Sequence, residues 1–133
     1  YEGYLAPGFG TNPIGLSIDP GGVLDVYFGG NNAAYKFDAA SGNYMGSIAG
    51  GYAKSGFGVV SDQNSVEYLA DFTGGTVYRF DNRTGAYMGQ LGSGFLTNPT
   101  FLAVTPAPEP ASLAVLLGGS IAVLMRRRAR KTP

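Results

Sequence analysis

Apolar and polar residues alternate over Gly15–Ile18, so that Leu16 and Ile18 share one face, and a second extended run, Val23–Phe28, follows across Asp19-Pro20-Gly21-Gly22. Period-two alternation bounded by Gly, Pro, Asn and Asp predicts short strands joined by tight turns. The same punctuation continues downstream. Gly29–Asn32 turns the chain, Ala34–Phe37 predicts a third strand, Asp38–Gly42 a tight loop and Asn43–Ile48 an outer strand. Asn, Gly, Asp and Ser stand where a turn needs positive φ or a side-chain cap. The 22 glycines therefore serve turns, not disorder.

This four-strand pattern repeats. Tyr35-Lys36-Phe37-Asp38-Ala39-Ala40-Ser41-Gly42-Asn43-Tyr44-Met45-Gly46 recurs as Tyr78-Arg79-Phe80-Asp81-Asn82-Arg83-Thr84-Gly85-Ala86-Tyr87-Met88-Gly89, 43 residues later. Twice that offset connects Phe9, Thr11, Asn12, Pro13, Leu16 and Ile18 to Phe95, Thr97, Asn98, Pro99, Leu102 and Val104. The middle unit departs at one point: Phe57-Gly58-Val59-Val60-Ser61-Asp62 lacks the Asn-Pro and carries Ser61 at the third apolar position. A period of about 40 to 45 residues with four strands per unit predicts propeller blades.

The Phe-Asp-x-x-Thr/Ser-Gly-x-Tyr-Met-Gly motif, with its Asn-Pro segment and inner strand, resembles the NHL-type and related β-propellers. The resemblance implies an all-β fold for residues 1–105: a partial β-propeller of about two and a third blades of antiparallel four-stranded sheet. A closed ring takes about four to eight blades. The chain is therefore expected to be the C-terminal part of a longer protein, with further blades and a secretory signal peptide upstream. The open blade edge is an expected pairing or aggregation surface.

The pattern changes after residue 105. Pro106, Pro108 and Pro110 hold the approach extended, because each ring restricts the residue before it. Ala111–Met125 then carries no charge, and Arg126, Arg127, Arg128, Arg130 and Lys131 follow directly. As a helix, 111–125 rises about 22 Å, short against a hydrocarbon core of about 30 Å. Snorkelling arginines and local bilayer thinning extend its reach. The positive-inside rule places the cations in the cytoplasm and the preceding domain outside the inner membrane.

Pro108-Glu109-Pro110, the short apolar helix and the basic cluster together resemble the PEP-CTERM sorting signal of Gram-negative bacteria over residues 106–133. That resemblance implies an exosortase-type membrane protease as partner beside the lipid bilayer, cleavage after export, and delivery to the cell surface with association to exopolysaccharide or biofilm matrix. Ala114, Gly118 and Ala122 form a small-residue ridge that lets another membrane helix approach. Two simpler readings compete. A buried core helix leaves the five cations unexplained, and a plain C-terminal anchor leaves Pro-Glu-Pro unexplained.

Charge and composition narrow the function further. The chain is neutral overall, but residues before Pro106 carry four basic side chains against eight acids, a net charge of −4. That excludes a nucleic-acid partner, which needs a basic face. Without cysteine there are no disulfides or thiolates, and without histidine the commonest general base and metal ligand is missing. No catalytic residue, metal or cofactor is assigned.

Asp38 and Asp81 each open a hairpin loop whose amides an aspartate caps, and Asp71, in Tyr68-Leu69-Ala70-Asp71, resembles the aspartate after the second strand of NHL-type blades, which implies that it bonds neighbouring backbone. The pairs Tyr35/Phe37 and Tyr78/Phe80 are expected as core between blades, with an aromatic carbohydrate platform as the alternative. Asn82-Arg83-Thr84 fits the N-glycosylation pattern but falls in a turn. The expectation is a non-enzymatic exported envelope protein. Its alternatives are the C-terminal part of a propeller lyase or dehydrogenase, and an anchored adhesion module.

Overall fold

The structure is a computed structural model and describes residues 8–105. The sorting motif Pro108-Glu109-Pro110, the helix expected over 111–125 with its Ala114, Gly118 and Ala122 ridge, and the basic cluster from Arg126 to Lys131 lie outside these residues.

Each extended run of the sequence forms a strand: β1 (Pro13–Ile18), β2 (Val23–Phe28), β3 (Ala33–Asp38), β4 (Tyr44–Ile48), β5 (Gly56–Ser61), β6 (Val66–Asp71), β7 (Thr76–Asp81) and β8 (Tyr87–Leu91). They build two four-stranded antiparallel sheets, ordered β1-β2-β3-β4 (sheet A) and β5-β6-β7-β8 (sheet B). Among the described residues there is no helix. β2 has the predicted bounds, while β1 and β3 run one or two residues longer and β4 starts at Tyr44.

The repeat is written into the backbone as well as the side chains. In sheet A the Asp38 carboxylate accepts from the Ser41 amide and hydroxyl, both at 2.7 Å, and Gly42 closes the loop at φ 74°. In sheet B Asp81 accepts from the Thr84 amide at 2.8 Å and hydroxyl at 3.0 Å, and Gly85 closes the loop at φ 75°. Only glycine enters this left-handed region without steric cost. Elsewhere the second copy keeps the backbone and changes the residue: Gly22 at φ 80° becomes Ser65 at φ 60°.

Two close approaches set successive inner segments against one another. An added Cβ at Gly15 of β1 would stand 2.3 Å from the Phe57 carbonyl oxygen of the next inner strand. One at Gly58 of β5 would stand 2.5 Å from the Thr100 carbonyl oxygen. These glycines occupy the same repeat position, and each lets the following inner segment lie against it. Between the sheets, Tyr27, Ala34 and Ile48 of sheet A pack on Val59, Leu69 and Phe80 of sheet B. Burying a side chain of Leu or Phe size contributes about 1.5–3 kcal/mol. The far side of sheet A holds a second cluster, Val26, Phe28 and Phe37, packed against Phe9, Leu24 and Tyr35.

The expected third of a blade appears in a modified form. Residues 99–104 lie beside β5 at Gly58, where the repeat places them, but they are not a strand. The reason is pairing. β1 is a strand because β2 supplies its ladder over Pro13–Phe28, and among the described residues no strand stands in that relation to 99–104.

Candidate functional site

The densest chemistry lies in the seam between the sheets. Asp25 of β2 projects toward sheet B with Lys36 opposite it on β3. Ser61 of β5, Glu67 of β6 and Asn82 after β7 come from the other side. Asp25 and Glu67 have no exposed surface, and Ser61, Asn82 and Lys36 are buried. The Ser61 hydroxyl donates to Asp25 Oδ2 at 3.0 Å. The Asn82 amide nitrogen donates to Asp19 Oδ2 at 3.2 Å, Asp25 Oδ2 at 3.3 Å and Ser61 Oγ at 3.3 Å. Ser61 also donates its backbone N–H to Ser17 Oγ of β1 at 3.1 Å. Ser61 thus ties β5 to both β1 and β2.

Both oxygens of Glu67, together with Asp25 Oδ1, lack a donor. Two facing carboxylates out of water disfavour each other's charge, so each raises the other's proton affinity. Burial pushes the Glu67 carboxyl well above the usual carboxylate range, and the nearby Asp25 charge pushes it further. Burial also raises Asp25, opposed by the Ser61 hydrogen bond and the Lys36 charge. The arrangement is a polar latch between the sheets. Neither carboxyl has exposed surface among the described residues.

A second tie crosses the same seam at its other end. Gly56 N–H donates to the Tyr27 hydroxyl oxygen at 3.1 Å, and that hydroxyl donates to Asn32 Oδ1 at 3.2 Å. Burial raises the Tyr27 phenol. The buried Asp71 accepts the amides of Ser55 at 3.0 Å and Lys54 at 3.2 Å, the backbone role expected for it.

The remaining sequence candidates resolve in the same structural direction. The hydrogen bonds from Ser41 and Thr84 hold the half-buried Asp38 and Asp81 below the usual carboxylate range. Phe37 and Phe80 are fully buried and Phe80 belongs to the inter-sheet core, so neither Tyr/Phe pair presents a flat platform. Asn82 is 1% exposed with its amide nitrogen engaged in the latch, which removes it as a glycan acceptor. No group of three Asp or Glu side chains among the described residues is placed to hold a metal ion. Beside the latch, a cleft of about 550 Å³ opens between Asp19, Ser61, Asp62, Tyr68, Val104 and Thr105.

The sequence reading missed the latch and one aromatic. Glu67 stands 43 residues after Leu24, so an acid replaces an apolar residue there, and that exchange was its signal. Tyr52 stands midway between Phe9 and Phe95 in the repeat.

Solved structures share this sheet arrangement. A nidogen/laminin complex matches with a TM-score of 0.65 at 20% identity, over 77% of this chain and 39% of that chain. The fold is propeller-like. Hydrazine synthase of Kuenenia stuttgartiensis matches with a TM-score of 0.64 at 13% identity, over 80% of this chain and 30% of that one. Saccharomyces cerevisiae Sqt1 matches with a TM-score of 0.58 at 14% identity, over 74% and 25%. The chain thus spans well under half of each of these chains. No protein-family model and no curated protein matches it.

Proposed function

We propose that this chain is an exported cell-envelope protein whose C-terminus is a sorting signal for an exosortase-type membrane protease. The observation that carries the reading is the order of three elements at the C-terminus: Pro108-Glu109-Pro110, the uncharged run Ala111–Met125, and the cluster from Arg126 to Lys131. The apolar run enters the inner membrane, and five cations hold its end in the cytoplasm. The propeller-like domain then stands on the periplasmic side. The extended Pro-rich segment beside the bilayer offers the protease an accessible backbone. Cleavage releases the domain for transport to the surface, where it joins the exopolysaccharide matrix as a non-enzymatic component. The acidic domain and the structural roles of Asp38, Asp71 and Asp81 support a delivered module over a delivered catalyst.

The test is expression in paired hosts with and without an exosortase, followed by intact-mass analysis of the mature protein. Loss of Arg126–Lys131 only in the exosortase host is the expected result. Retention of the cluster in both hosts leaves a plain anchor. Glu109→Ala is expected to block processing while membrane insertion continues, and normal maturation of this variant would overturn the role given to the motif.

A further inference from the structure

The two copies of the repeat exchange apolar for polar residues at three positions that converge in space. Ile18, Leu24 and Ala39 of the first copy correspond to Ser61, Glu67 and Asn82 of the second, 43 residues on. All three replacements are buried. Glu67 pairs with Ser61 in the register of β5 and β6. Ser61 Oγ in turn donates to Asp25 Oδ2 at 3.0 Å and accepts from the Asn82 amide nitrogen at 3.3 Å. Neutral drift scatters polar exchanges over a surface, because a polar group buried without a partner is costly. Here they gather at one buried point against Asp25.

These side chains leave only oxygen unpaired. Asp25 Oδ1, both carboxylate oxygens of Glu67 and Asn82 Oδ1 are buried acceptors without a donor among the described residues. Asn82 directs its amide nitrogen at Asp19, Asp25 and Ser61, so its carbonyl oxygen is the atom left over. Glu67 lies in the field of Asp25, Asp19 and Lys36. With every group ionised, these three carboxylates and one lysine carry a net charge of −2. An ordered water has two hydrogens to donate, which leaves half of the free acceptors and the whole charge unmet.

We propose that the latch is a calcium site, with Asp25 Oδ1, the Glu67 carboxylate and the Asn82 carbonyl oxygen as its protein ligands. Ser61 and Asp19 position Asn82, and the ion ties β2 of sheet A to β6 of sheet B. A donor set of oxygen alone selects a hard cation. Two carboxylates and a neutral oxygen match the charge of a divalent ion without a third acid among the ligands. Calcium accepts a bidentate carboxylate and an irregular shell, which water from one side can complete. Magnesium demands a near-ideal octahedron and keeps several waters, for which carboxyls without exposed surface leave no room. Ser61 and Asp19 also line the cleft of about 550 Å³, which gives the ion its path. In calcium-free solution the raised proton affinity of Glu67 answers the same charge, so proton and ion are alternative occupants.

The test titrates calcium into the full chain at neutral pH, in detergent that holds its apolar tail, after divalent ions have been removed with a chelator. Calorimetry should find one ion per chain with a Kd of about 10⁻³ M or lower. Free calcium at about 100 times Kd should raise the folding equilibrium constant about 100-fold, and magnesium at the same concentration should give less than about a tenth of that gain. Glu67→Leu installs the residue of the first copy and should fold without a calcium response. Glu67→Gln keeps the shape of the side chain and should lose the response as well. Asp38→Asn, in a loop of sheet A, should keep it. Absence of binding at about 10 mM calcium would overturn the proposal and leave the latch to a proton and water. An equal gain with magnesium, or a calcium response that survives both Glu67 variants, would also overturn it and assign the effect to surface charge.

Discussion

The seam between sheets A and B and the flank beyond sheet B use the same repeat positions and end in opposite states. In the seam, Tyr52 has its aromatic box, Gly15 admits the next inner strand, and β5 has a ladder partner. On the flank, Phe95 is bare, Phe101 replaces the glycine, and 99–104 form no strand. The difference teaches that this repeat encodes half of each contact. A blade position becomes core only when the neighbouring sheet arrives, because burial and ladder bonds belong to pairs of segments.

The largest expected contrast is between two phenylalanines. Phe80→Ala, in the seam, should cost about 3–5 kcal/mol of unfolding free energy, and Phe95→Ala, on the flank, less than about 0.5 kcal/mol. Urea unfolding followed by circular dichroism separates them, and similar costs would erase the comparison. Next is the close approach. Gly15→Ala sets a Cβ against a backbone oxygen and should cost about 1–3 kcal/mol, whereas Gly50→Ala, with open space around it, should stay within about 0.5 kcal/mol.

The latch gives the seam a pH dependence that the flank lacks. Glu67 has its proton affinity raised in the fold above the ordinary value of 4.5, so the folded chain keeps a proton that the unfolded chain releases. Its contribution is fully present below pH 4.5 and is lost as pH rises through the folded pKa. Asp38 and Asp81 act with the opposite sign. Their carboxyls are lowered from 3.8, and their contribution is lost as pH falls through the folded pKa. Glu67→Gln, which mimics the protonated form, should flatten the alkaline decline of the thermal midpoint and leave the acid limb in place. An unchanged alkaline limb would remove Glu67 as its source. The smallest expected effect is a gain. Ser65→Gly relieves a non-glycine residue at φ 60°, at the repeat position where Gly22 stands, and should stabilise by about 1 kcal/mol.

Much of the fold is legible in the chain because strand faces and turns are local. The alternation of Leu16 and Ile18, the Asp…Gly loops and the offset of 43 fix strands, turns and the stacking of units without reference to distant residues. The latch is not local. Asp25 and Glu67 stand on different strands of different sheets and meet only through face-to-face packing, so neither looks unusual in its own stretch of sequence. Ser61 was visible as an exception to the apolar pattern, but its partner was not. The third of a blade expected at the end of the repeat forms no strand over 99–104 for the related reason that side-chain pattern is carried by one segment and a ladder by two.

Amide hydrogen exchange on the full chain tests the central contrast most directly. The amides of Val59–Ser61 in β5 should be protected by several orders of magnitude, at the scale of global unfolding, while those of Phe101–Val104 should exchange close to the rate of an open chain. Equal strong protection of the two segments would contradict the account, because it would mean that the flank is already as closed as the seam.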